Sequence, residues 1–168
     1  MKPISATSNW FAAVALAALL GLFGSPARCG AAADYLSPGA LAATRDGKTI
    51  YIACATADRV LVFDVASAKV TRTLDMPATP TGLTLSADDA QLAVTCAAPQ
   101  SRVWIVDTAK GTVRTTLTAG HSAIAPVFSP DGKTLFVCNQ FNDDVSFIDP
   151  AAKKELRRVK VQREPVAA

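Results

Sequence analysis

The chain has 168 residues, half of them hydrophobic and 18% charged, with a formal net charge of +3. That composition excludes an intrinsically disordered chain, which combines low hydrophobicity with high net charge. The balance of bases and acids also lacks the strong basic excess that nucleic-acid binding wants.

Residues 1–33 read as a secretory signal peptide. Lys2 supplies a weak positive start, FAAVALAALLGLFG at 11–24 is an uninterrupted apolar run of 14 residues, and small residues follow in SPARCGAAA. A membrane-spanning helix needs roughly 20 apolar residues, so this run is too short to be one. Ala31 and Ala33 fit the A-x-A rule for cleavage after Ala33, with cleavage after Ala27 as the alternative. Arg28 stands where a lipobox wants a small residue, which argues against a lipid anchor on Cys29. A buried N-terminal helix is disfavoured because the segment has no polar face. Loss of the leader removes Lys2 and Arg28 and no acid, which leaves 15 bases against 14 acids. The expected location is periplasmic or extracellular, with no membrane span after leader removal.

Beyond the leader the chain repeats. The turn aspartates Asp46, Asp88 and Asp131 are spaced 42 and 43 residues, and the later aspartates Asp64, Asp107 and Asp149 are spaced 43 and 42. Pro38, Pro80 and Ala123 stand eight residues before the turn aspartates, and Pro165 falls in the next register. Each unit contains four short runs rich in apolar and β-branched residues, and nothing sustains helical spacing. In the first unit strands are predicted near 39–44, 48–54, 59–64 and 69–75. In the second they are TGLTL at 81–85, QLAVT at 91–95, RVWIVD at 102–107 and TVRTTLT at 112–118. The pairs Asp46-Gly47 and Asp131-Gly132 suit tight hairpin turns, because glycine accepts positive φ. VLVF at 60–63 and VWIV at 103–106 are apolar on both faces, as central strands should be.

Four strands per unit of 40–45 residues predict one propeller blade per unit. The fold class is therefore all-β: a β-propeller of antiparallel blades at about 38–79, 80–122 and 123–164, with the start of a fourth at 165–168. Three blades do not close a ring, since propellers have at least four. The expectation is the N-terminal part of a longer propeller, or an assembly in which chains self-associate through open blade faces.

Cys54, Cys96 and Cys138 invite a closer look. Cys54 and Cys96 share one slot of the repeat, and Cys138 stands one residue early, on the opposite sheet face. Cys96 and Cys138 are thus placed to face each other between blades two and three. Facing sheets lie about 10 Å apart, whereas a disulfide wants Cα atoms within about 7 Å, so small buried hydrophobes are the better reading. No C-x-x-C-H stretch exists, so no c-type haem is attached within these residues, and no repeated Cys/His set suggests zinc. His121 is the only histidine. Without a paired nucleophile or carboxylate nearby it reads as a loop residue that orders a blade connection. Ser122 and Ser129 lack G-x-S-x-G context. KKELRRVKVQR at 153–163 mixes charges and apolar positions at strand spacing and reads as a solvated outer strand, not as a nucleic-acid site.

In an up-and-down blade the first-to-second and third-to-fourth connections share one end, and the remaining loops share the other. The second end carries the varied loops ATAD at 55–58, AAPQS at 97–101, GHS at 120–122 and NQFND at 139–143. Binding residues concentrate on irregular loops held by rigid scaffolds. The candidate site is therefore His121, Asn139, Gln140, Phe141, Asn142 and Asp143, with Phe141 the leading contact for a protein partner or small ligand. Asn139, Asn142 and Asp143 also offer oxygens to calcium, though without the EF-hand pattern plain turn chemistry is preferred.

SPDGKTLFVCN at 129–139, YIAC at 51–54, AVTC at 93–96 and the recurring FD, VD or ID before a turn resemble YVTN-type, or YncE-like, β-propeller repeats. The resemblance covers about residues 37–168. It departs from the family pattern where Cys54 and Cys96 replace the final asparagine, which only Asn139 keeps. The resemblance implies an exported, non-catalytic binding platform, often seven-bladed. It further implies association with a c-type cytochrome or other periplasmic redox protein, any haem domain lying downstream of Ala168. The alternative it implies is part of a lactonase-like seven-bladed hydrolase.

Overall fold

The computed structural model describes residues 35–167, so the expected leader lies outside the described residues. Twelve strands follow one another in the described chain. The first four are β1 (Pro38–Ala43), β2 (Thr49–Cys54), β3 (Arg59–Asp64) and β4 (Lys69–Asp75). The next are β5 (Pro80–Leu85), β6 (Gln91–Cys96), β7 (Arg102–Asp107) and β8 (Thr112–Thr118). The last are β9 (Ala123–Phe128), β10 (Leu135–Asn139), β11 (Asp144–Asp149) and β12 (Lys154–Lys160). They form three four-stranded antiparallel sheets, each in simple sequence order, consistent with propeller blades. The predicted strands of the first unit fall within a residue of these bounds. Residues 161–167 carry no strand.

The repeat extends to irregularities of pairing. The first-to-second pairing shifts register after Pro38 and after Pro80, the openers of blades one and two. The third-to-fourth pairing shifts at Val62/Phe63, Ile105/Val106 and Phe147/Ile148, the same place in all three blades. Such bulges add local twist to the strand that carries them.

Burial follows from stacking. Blade two lies between its neighbours, and Leu92, Ala93, Val94, Thr95 and Cys96 on β6 are all buried. Leu92, Val94 and Cys96 pack with Tyr51, Ala53, Val60 and Val62 of blade one. Ala93, Val103, Ile105 and Leu117 pack with Leu135, Val137 and Ile148 of blade three. Each fully buried valine or leucine contributes roughly 1.5–3 kcal/mol. The innermost strands meet as well, β5 touching both β1 and β9. The outermost strands β4, β8 and β12 alternate and lie mostly in solvent, as their mixed polar and apolar sequence requires.

Two corrections to the cysteine reading follow. Cys96 faces blade one and not blade three, because it packs in the cluster that joins blades one and two. Cys138 shares a face with Phe136, two residues before it on β10, away from the blade-two contact made by Leu135 and Val137. The two thiols therefore do not face each other, and Cys54, Cys96 and Cys138 are all buried and free. Burial pushes the Cys96 thiol up to about 12, and raises Cys54 and Cys138 as well.

Candidate functional site

At one end of the sheets a single turn is built three times. Thr44, Ser86 and Ser129 each donate a hydroxyl to the aspartate two residues on, at 2.8, 2.6 and 2.6 Å. Asp46, Asp88 and Asp131 then accept the backbone N–H of Lys48, Ala90 and Lys133 at 3.0–3.1 Å. The same hydroxyls accept the N–H of Thr49, Gln91 and Thr134. These hydrogen bonds hold all three carboxyls below their ordinary value. The position after the aspartate has positive φ in every copy: Gly47 at 68°, Asp89 at 57° and Gly132 at 69°. Aspartate tolerates this region better than most side chains, so blade two makes the turn without glycine. Asp64, Asp107 and Asp149 cap the third-to-fourth turns, each accepting the N–H three residues on, from Ser67, Lys110 and Ala152.

This end also holds a cavity of about 540 Å³ against the innermost strands, lined by Leu41, Arg45, Leu83, Ser86, Asp89 and Phe128 among others. The sequence reading assigned no function there. Its lining comes from the ends of the three innermost strands and the turns that follow them, residues that only the stacking of the blades brings together.

The opposite end is irregular. The β10–β11 loop contains one short 3-10 turn, Gln140–Asn142, and leaves it through Asp143 in the left-handed region at φ 54°. The connector from β8 to β9 is tied onto this loop. Gly120 donates to Asn139 Oδ1 at 2.7 Å, and His121 donates its backbone N–H to Asn142 Oδ1 at 2.6 Å. In return Gln140 and Phe141 donate to the carbonyls of Ser122 and His121. Ser101 bridges blades two and three, its hydroxyl accepting the N–H of Ala123 at 2.9 Å.

On this braced connector the His121 and Phe141 rings lie 5.1 Å apart, tilted by 50°. Phe141 remains 59% exposed. Ser122 Oγ sits 3.2 Å from His121 Nδ1, and Lys160 Nζ donates to the Asn142 carbonyl at 2.6 Å. The structure thus gathers His121, Gln140, Phe141, Asn142 and Asp143 into one loop cluster, with Phe141 exposed and the other four half-buried. Ser122 and Lys160 belong to it too. Lys160 was hidden from sequence reading because it arrives from the end of β12, 18 residues away from Asn142.

Asn139 does not join them, which corrects its assignment as a binding residue. It is fully buried. Its amide donates to Asp144 Oδ1 at 2.7 Å and Ser146 Oγ at 2.8 Å, while its oxygen takes the Gly120 N–H. A buried side chain with its polar atoms committed internally supports the loop and has nothing left for a ligand. The oxygens considered for calcium point elsewhere as well. Asn142 Oδ1 accepts from His121, and Asp143 Oδ1 accepts from Glu164 N at 3.0 Å. Between blades one and two the same end has a groove of about 270 Å³, lined by Pro77, Ala78, Cys96, Gln100, Arg102 and Trp104 among others.

No family model matches the chain, and no curated protein matches it. Among solved structures the chain is similar to hydrazine synthase of Kuenenia stuttgartiensis, with a TM-score of 0.74 and 22% sequence identity. The match covers 86% of this chain and 42% of that one, so the chain spans less than half of that protein chain's length. At this identity the likeness shows the fold, a propeller-like arrangement of four-stranded β-sheets.

Proposed function

We propose that this is an exported, non-catalytic repeat domain of the YVTN type that binds a protein partner or small ligand through its loop end. The observation that carries the reading is Phe141: a large apolar side chain, mostly in solvent, held by a ring contact with His121 on a hydrogen-bonded loop. Rigid exposed aromatics lose little entropy on binding and recur as interaction hot spots. The varied loop end also contrasts with the uniform turn end, as expected where a scaffold holds a binding face.

A narrower form of the proposal has this face docking on a c-type cytochrome or other periplasmic redox protein. It rests on the resemblance of the repeats; the likeness to hydrazine synthase contributes the fold and no activity. Affinity capture from a periplasmic extract tests the reading. Proteins retained by the native chain and lost with Phe141→Ala support it, and a c-type cytochrome among them supports the narrower form. Equal retention by both chains contradicts it. Lactone hydrolysis by the purified chain, abolished in His121→Ala, would establish the hydrolase alternative instead.

A further inference from the structure

At the loop end the two junctions between blades are built from equivalent positions with different chemistry. The backbone fixes the equivalence. Ala97 donates its N–H to the Thr79 carbonyl, as Gln140 does to that of Ser122. Counted from these pairs, Pro77 stands in the slot of Gly120, Ala78 in that of His121 and Ala98 in that of Phe141. Strand register sets Cys96 opposite Arg102 and Asn139 opposite Asp144, so Trp104 stands in the slot of Ser146.

At the junction of blades two and three these positions close on one another. Asn139 holds Gly120, Asp144 and Ser146. Gly120 leaves no room for a Cβ against Asn139 and Asn142, and the His121 and Phe141 rings meet. At the junction of blades one and two each of these ties is missing. A cysteine thiol cannot replace the three hydrogen bonds of Asn139. Pro77 has no N–H to give, and carries a ring where Gly120 carries nothing. Ala78 and Ala98 have no rings to pair. The groove of about 270 Å³ opens among these residues. Its lining comes entirely from the β4–β5 connector, β6, β7 and the loop between those two strands.

The repeat itself indicates what would fill the groove. Two rings that stand at one junction are absent from the other, and the space they leave is bordered by Trp104. That indole is half-buried and packs on the core shared by blades one and two, so it offers a fixed surface for another ring. Arg102 takes the slot of Asp144 and reverses the charge there. It is exposed, and its guanidinium makes no hydrogen bond or ion pair among the described residues. Gln100, also exposed, adds an amide to the same lining. A guanidinium fork matches a carboxylate in two parallel hydrogen bonds.

We propose that this groove binds a small aromatic carboxylate, its ring against Trp104 beside Ala78 and Ala98 and its carboxylate on Arg102. The volume suits one ring with a short acidic arm, since sites for larger ligands start at about 300 Å³. This site is separate from the Phe141 cluster, which lies at the other junction.

The test reads Trp104 directly. In the Trp10→Phe chain Trp104 is the only tryptophan, so selective excitation reports on the groove. Titration with 3-phenylpropanoate should change its emission to saturation. The neutral amide of the same acid should bind at least tenfold more weakly, and acetate, which lacks the ring, should give no response. Arg102→Gln, at an exposed position, should weaken binding of the acid at least tenfold and leave binding of the amide unchanged. Ala98→Phe, which supplies the ring present at the equivalent place in blade three, should stay folded by circular dichroism and lose the response. Phe141→Ala should bind the acid as the native chain does, which keeps this test independent of the loop-cluster reading. Absence of a saturable response to the acid overturns the proposal. So does equal binding of acid and amide, equal binding of the acid by Arg102→Gln, or a folded Ala98→Phe that still responds. Loss of the response in Phe141→Ala would move the site to the other junction and overturn the proposal as well.

Discussion

At the turn end, residues 42 or 43 apart do the same job three times, Asp46, Asp88 and Asp131 accepting one N–H each from the same place in each turn. At the loop end the same spacing leads to different results. Cys54, Cys96 and Asn139 share one slot by strand register. The two cysteines are buried thiols, while Asn139 organises a network of Gly120, Asp144 and Ser146. A repeat position that is chemically uniform serves the fold. One that departs from its equivalents marks where a particular loop has to be held.

Breaking the loop network should have the largest effect. Asn139→Leu leaves the Gly120 N–H, the Asp144 carboxylate and the Ser146 hydroxyl without their buried partner. A buried polar group left unsatisfied costs about 1–3 kcal/mol, so urea unfolding should show a loss of about 3 kcal/mol or more. The same substitution in blade two, Cys96→Leu, has no polar network to orphan, and its cost is confined to packing the extra volume.

At the turn end the effects should be smaller and graded by side chain. Gly132→Val places a β-branched residue at φ 69° and should cost roughly 1–2 kcal/mol in chemical unfolding. Gly132→Asp should cost less, since Asp89 already occupies that conformation in blade two. Equal losses for the two variants would mean that the three turns are not interchangeable.

A weaker effect comes from pH. The carboxyls of Asp46, Asp64, Asp88 and Asp131 lie below their ordinary value because hydroxyl and N–H donors favour the charged form. Their unfolded value is about 3.9, so this stabilisation is complete above that pH and is lost as pH falls through the lower folded values. Melting temperature should drop across this acid range, and Asp88→Asn should reduce the steepness of the drop. These groups are exposed, so the change per residue should be small.

Much of this was legible in the sequence, and the boundary of what was legible is physical. Strand bounds followed from the recurrence of Asp46 and Asp64, because strand lengths and turn chemistry are local. The exposed position of Phe141 followed too, from its place among amides and acids. The burial of Asn139 did not, because it depends on Gly120 arriving from a connector 19 residues upstream. Asp89 was not read as a turn residue at positive φ, because the Asp-Gly signal of the other blades is absent there. The facing of Cys96 and Cys138 was misjudged because alternation tells which residues share a face of a strand, but not toward which neighbouring blade that face turns.

The smallest stability effect belongs to the residue with the largest proposed role in binding. Phe141→Ala removes an exposed ring and should change stability by no more than about 0.5 kcal/mol. Calorimetric titration of a captured partner into the native chain, Phe141→Ala and Gly132→Val, with melting curves of the same samples, tests the central claim most directly. The account predicts that Phe141→Ala loses at least tenfold in affinity, or about 1.4 kcal/mol, at an unchanged melting temperature, while Gly132→Val melts earlier and binds as the native chain does. If Phe141→Ala melts early, or binds as tightly as the native chain, the loop end is not the binding face.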